Sequence, residues 1–118
     1  MNLNEMLHQI LSKTGLPVCQ DEYSGQHDKY IIFIYEDERP VYHAGNRVIA
    51  DTVYLQIQLI TPKDYNYFPL KNEIRTLLEG AGFSVTSIRS FLGSAYVGTS
   101  KIRQTIFQVE YTEGRSEE

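Results

Sequence analysis

The sequence is poor in the residues from which compact metal and redox sites are built. It has one cysteine, Cys19, which excludes an internal disulfide and a cysteine-rich metal cluster and fits a reducing compartment. Cys19 is expected to act as a small buried hydrophobe. The three histidines, His8, His27 and His43, have no second ligand at the short spacings of a local metal motif. Basic residues are also scarce: 11 Lys and Arg, scattered, against 15 Asp and Glu, for a net charge of -4. A phosphate-tracking surface, and with it specific nucleic-acid binding, is not expected. No apolar stretch approaches the roughly 18 residues of a membrane-spanning helix, and no basic flank precedes a continuous apolar run at the start, so neither a membrane span nor a secretory leader is expected.

Catalytic and cofactor signatures are missing as well. Gly93 and Gly98 are neither followed by lysine nor set at a helix start, so they do not form a phosphate cradle. The acidic run Glu36-Asp37-Glu38 lacks the alternating oxygen ligands and the glycine of a calcium loop and reads as a solvated face. No serine or cysteine carries a local nucleophile signature. The expectation is a protein without catalytic residues, metal or cofactor.

What is present describes one domain. At 118 residues, 42% apolar and 22% charged, the chain is long enough for one core and ordinary in composition. Leu3, Met6, Leu7, Ile10 and Leu11 share one helical stripe, opened by a capping box of Asn2 and Glu5 and stopped by Gly15 and Pro17. Residues 17–23 are a short extended candidate, and Tyr30-Ile31-Ile32-Phe33-Ile34-Tyr35 is a strand apolar on both faces that the acidic run ends. Residues 48–61 alternate, with Val53, Leu55, Ile57 and Leu59 on a dry face and Thr52, Tyr54, Gln56 and Gln58 on a wet one. Leu70, Ile74, Leu77 and Leu78 predict a helix over 68–80, followed by a short strand from Phe83. Residues 101–111 alternate again, with Phe107, Val109 and Tyr111 opposite Gln104, Gln108 and Glu110. The prediction is an α+β two-layer domain over residues 1–112, with a mainly antiparallel or mixed sheet of four or five strands and both helices on one face. Residues 113–118 read as a flexible charged tail.

Two segments read as loops that carry apolar side chains away from any core. Residues 91–97 hold Phe91, Leu92, Tyr96 and Val97 among Gly and Ser, and residues 39–46 hold Val41 and Tyr42 between Pro40 and Gly45. They either fold back over the sheet ends or meet neighbouring subunits, where aromatic residues are enriched.

Thr14-Gly15-Leu16-Pro17-Val18 after the first helix, the aromatic strand at 30–35, Ala50-Asp51 leading into the long alternating strand, then a helix and Gly82-Phe83, form a recognisable order. Over residues 3–112 the chain resembles the tail terminator, or tail-completion, family of phages and prophages of Gram-positive bacteria, which includes the minor tail protein U of lambdoid phages. The resemblance implies a non-enzymatic subunit of the virion tail, made in the host cytoplasm. It implies a homo-oligomer, commonly a hexameric ring, that caps the tail-tube protein and meets a head-side connector protein. In such a ring Gln56, Gln58, Gln104 and Gln108 would face the lumen, and Val41, Tyr42, Phe91, Leu92, Tyr96 and Val97 would contact neighbours. Another head-to-tail joining or neck protein of the virion, a small-ligand regulatory domain, and an enzyme assembled from distant residues are the competing readings. Gene order, a deep polar pocket and a perturbed titratable group in a cleft, respectively, distinguish them.

Overall fold

The computed structural model describes residues 2–42, 45, 47–97 and 100–114, with the backbone alone at 94–97 and 100. Helix α1 (Leu3–Leu11) begins at Asn2, whose Oδ1 accepts from the Glu5 N–H at 2.8 Å while its Nδ2 donates to Glu5 Oε1 at 3.1 Å. The expected cap forms, with side chain joined to side chain on the return leg. A turn of 3-10 helix at Ser12–Thr14 ends on Gly15 at φ +82°, a left-handed conformation that glycine adopts without strain.

Strand β1 (Val18–Gln20) lies parallel to β2 (Tyr30–Tyr42), and β2 is antiparallel to β3 (Val48–Pro62). Helix α2 (Phe68–Gly80) connects β3 to β4 (Ser84–Val97), which is antiparallel to β5 (Ser100–Gly114). The order across the five-stranded mixed sheet is β1-β2-β3-β5-β4. This is the expected α+β fold, with both helices on one face.

The core lies between that face and the helices. Leu7 and Leu11 of α1 and Ile74 and Leu78 of α2 meet Ile31, Phe33, Leu55, Ile57, Leu59, Phe107 and Val109, all without solvent exposure. Alternation places these strand residues on one side because successive strand side chains point to opposite faces. Fully burying each removes apolar area worth about 1.5–3 kcal/mol.

Four sequence expectations are corrected. The acidic run does not end β2: Glu36 is the extra residue of a bulge between Tyr35, opposite Leu55, and Asp37, opposite Tyr54, and the strand runs on to Tyr42. Residues 91–97 are not a loop but the second half of β4, and 39–42 likewise belong to β2. Residues 113 and 114, expected in the tail, belong to β5, which reaches Gly114; residues 115–118 lie outside the described ones. Cys19 is half-buried rather than buried. Long hairpins make the molecule 57 Å long and 24 Å in its other two dimensions. Its radius of gyration of 16.0 Å exceeds the roughly 13.5 Å of a globular chain this size.

Candidate assembly surfaces

The strands run along the long axis, so the molecule has two distinct ends. One carries the β2–β3 hairpin and the C-terminal half of β5; the other carries the β4–β5 hairpin and the turn into α2. The exposed large apolar side chains of the described residues divide between them. Val41, Tyr42 and Ile49 stand at the first end, and Phe91, Leu92, Tyr65 and Phe68 at or toward the second, Tyr42 being 60% and Phe68 54% exposed. The middle of the sheet leaves none so exposed.

Charge follows the same axis. Glu36, Asp37, Glu38 and Glu113 line a recess of about 420 Å³ between the middle of the sheet and the first end, together with Leu3, Tyr35 and Val53. Glu110, opposite Tyr54, lies at the same level. Lys63, Arg89, Lys101 and Arg103 lie in the other half. Arg103 rests over the Tyr67 ring at 5.2 Å, and its Nη1 reaches the Ser90 hydroxyl at 3.5 Å. Arg39 is held by Asp37 at 2.8 Å and lies over the Tyr54 ring at 5.4 Å. The Arg39 guanidinium, then the Glu38 N–H, hold the Asp37 carboxyl below the usual carboxylate range.

The sheet face away from the helices carries the four predicted glutamines. Gln56 faces Gln108, Gln58 faces Ile106 and Ile60 faces Gln104 across β3 and β5. All four glutamines are half-buried, and three belong to one network. Gln58 Nε2 donates to Gln56 Oε1 at 2.6 Å, Gln56 Nε2 donates to Glu36 Oε2 at 3.3 Å, and Gln108 Nε2 donates to Glu36 Oε1 and to the Leu55 carbonyl. The bulge thus sets a carboxylate among amide donors, which the sequence did not signal because the acidic run read as a strand end. Ile32, Ile34 and Ile106 interleave with these polar groups on the same face.

Of the six predicted contact residues, Val41, Tyr42, Phe91 and Leu92 are exposed at or toward the two ends; the side chains of Tyr96 and Val97 lie outside the described residues. Ile49, Tyr65 and Phe68 are also exposed and are not among the six. Phe68 read as the start of a helix and Ile49 as the start of a strand, although Tyr65-Asn66-Tyr67-Phe68 is a dense aromatic turn. His8 is half-buried with its ring edge-on to Phe33 at 5.2 Å, His27 is exposed, and His43 is not described. Among the described residues no group of three His, Cys, Asp or Glu is placed to hold a metal ion. Neither helix is long and apolar enough to cross a membrane.

No protein-family profile matches the sequence, and no curated protein is similar to it at a significant level. Solved structures do share its shape: in one, bearing a name that states no role, the likeness covers 98% of this chain and 96% of the other at a TM-score of 0.51 and 11% identity. At that identity the likeness shows the fold alone.

Proposed function

We propose that this chain is a non-enzymatic subunit of a phage tail, a terminator that closes into a homo-oligomeric ring, caps the tail tube and meets the head-side connector. The observation that carries the reading is the division of exposed apolar side chains between the two ends of an elongated sheet, Val41 and Tyr42 against Phe91 and Leu92. In a ring of subunits standing side by side and joined by a heterologous, closing contact, the two unlike ends give the ring one apolar surface for the tube and a different one for the connector. Opposite charge toward the two ends distinguishes the same two surfaces.

The glutamine face suits a lumen through which DNA slides. It offers amides and an acidic bulge where a DNA-gripping surface would offer lysines. Subunits of this kind are made in the host cytoplasm and end in the virion tail.

The test is to mix the purified chain with tail-tube protein and follow tube length and bound mass by light scattering and electron microscopy. Rings seated on tube ends, and tubes that stop elongating, are the expected outcome. A chain that stays monomeric and leaves tube growth unchanged refutes the reading. Binding to a connector without binding to the tube reassigns the chain to the neck of the same virion.

A further inference from the structure

We infer that the outer edge of β4 pairs with the uncovered edge of β2 from a second copy of this chain, so that the sheet continues from subunit to subunit. The inference rests on the ring reading above and gives that ring its seam.

The argument begins with the two sheet edges. β4 is the last strand of the sheet, and no described strand lies on its outer side. Bulges interrupt it between Val85 and Ser87 and between Leu92 and Tyr96, leaving residues 87–92 as a regular stretch with unpaired outward amides. That stretch contains no proline or lysine, the usual guards of an open edge. At the opposite side, β1 covers only residues 31–33 of β2. Residues 34–39 of β2 are therefore open, and with the bulge at Glu36 taking one level they match residues 87–91 of β4.

Strand sense allows the joint. β2 is antiparallel to β3, β3 to β5 and β5 to β4, so β2 and β4 run in opposite directions. Two copies standing side by side in the same orientation then meet as antiparallel strands, the same way at every joint of a ring.

Charge and face select the register. Arg89 is exposed on the glutamine side, opposite Ile106, and pairs with no carboxylate among the described residues. Setting it against the bulge puts Glu36 and Asp37, both on that side, beside one guanidinium, since a bulge presents two residues where its partner presents one. In this register Phe91, 43% exposed, comes against the half-buried Ile34, and Ser90 comes against Tyr35. Every pair then lies on a common face, as antiparallel pairing requires.

The register also sets a stagger. Arg89 stands level with Gln58 of its own β3, and Asp37 level with Tyr54, four residues away. Neighbours are thereby offset by about 13 Å at 3.3 Å per residue, which is compatible with closure when strands tilt against the barrel axis.

The test uses two charge reversals on the full chain. Arg89→Glu spoils the β4 edge alone, and the double variant Glu36→Lys with Asp37→Lys spoils the β2 edge alone. Circular dichroism melts establish that both fold, and if the double variant does not, Asp37→Lys alone replaces it. Each variant alone is expected to associate at least tenfold more weakly than wild type by light scattering. Mixed, their intact edges pair as in wild type and the two reversed edges again carry opposite charge, so the mixture is expected to regain mass. In the wild-type oligomer the amides of 87–92 exchange hydrogen more slowly than in the monomer. An Arg89→Glu chain that associates like wild type, or a mixture that gains no mass, overturns the seam. So does a wild-type chain that is monomeric up to about 1 mM. Rings that cap tubes while 87–92 exchange unchanged overturn the seam and leave the tail role standing.

Discussion

At the residue scale, one buried side-chain polar atom among the described residues is left unsatisfied by its neighbours. Thr61 is fully buried, and its Oγ1 has no hydrogen-bond partner, whereas the equally buried Thr105 donates to Ser90 Oγ at 3.2 Å. A buried hydroxyl without a partner keeps its desolvation cost, so Thr61→Val, of nearly the same shape, is expected to stabilise the fold by about 1 kcal/mol. That corresponds to a melting temperature higher by roughly 3–6 °C for a domain of this size. Thr105→Val, which removes the hydrogen bond to Ser90, is expected to do the opposite. Phe107 has no exposed surface and stands between Ile57 and Ile88 on neighbouring strands. Phe107→Ala leaves a cavity at the centre of the sheet and is expected to cost about 3–5 kcal/mol in a denaturant melt. Asp37 differs in kind. Its folded carboxyl titrates below its unfolded one, so its contribution is present above the ordinary carboxylate range and lost as pH falls through the depressed value. Being fully exposed, the pair with Arg39 is screened, and Asp37→Asn is expected to leave the melting temperature at neutral pH unchanged.

At the element scale the bulge at Glu36 has a sharp consequence. Ile34 and Asp37 share the glutamine face and Tyr35 takes the other, so removing Glu36 leaves an unbroken alternation in which every existing pair with β3 survives. Deletion of Glu36 is expected to give a folded protein, while deletion of Ile34 turns the start or the end of β2 over and gives an unfolded one. Circular dichroism melts of the two deletions distinguish the cases. The same strand explains what could be read from the sequence. Its first half was legible because Ile31 and Phe33 face the core, and the alternating strand at Val53 to Leu59 and both helices were legible for the same reason. Hydrophobic alternation arises from one-sided burial, and beyond Tyr35 both faces of β2 are exposed, so a strand of Glu, Asp, Arg and Pro leaves no such mark. The far half of β4 was hidden in the same way: Phe91 and Leu92 face opposite sides and both are exposed. Apolar residues without a core thus marked exposed positions while concealing that strands carry them. Gly93 marks the point where β4 bulges, since a Cβ there would meet Ile102 Cγ1 at 2.9 Å.

At the scale of the whole molecule, the two faces of one sheet do different work. The helix side closes the core, and the glutamine side remains partly open with Glu36 held between Gln56 and Gln108. If that side lines a DNA passage, its value lies in weak attraction, because each phosphate contact adds a counterion-release gain that would slow transit. Gln58 and Gln104 are the informative pair, since neither contacts Glu36 and lysines there would stay available to phosphate. Wild-type protein is expected to show no retention of duplex DNA at about 150 mM salt. The double variant Gln58→Lys with Gln104→Lys, displayed around a ring, is expected to bind it with an affinity that falls steeply as salt rises, in proportion to the phosphates neutralised. The same two lysines on the dilute monomer bring too few charges together to hold DNA. Ring and monomer therefore separate in one salt titration followed by fluorescence anisotropy, and equal binding by the two forms would place the glutamine face outside the lumen.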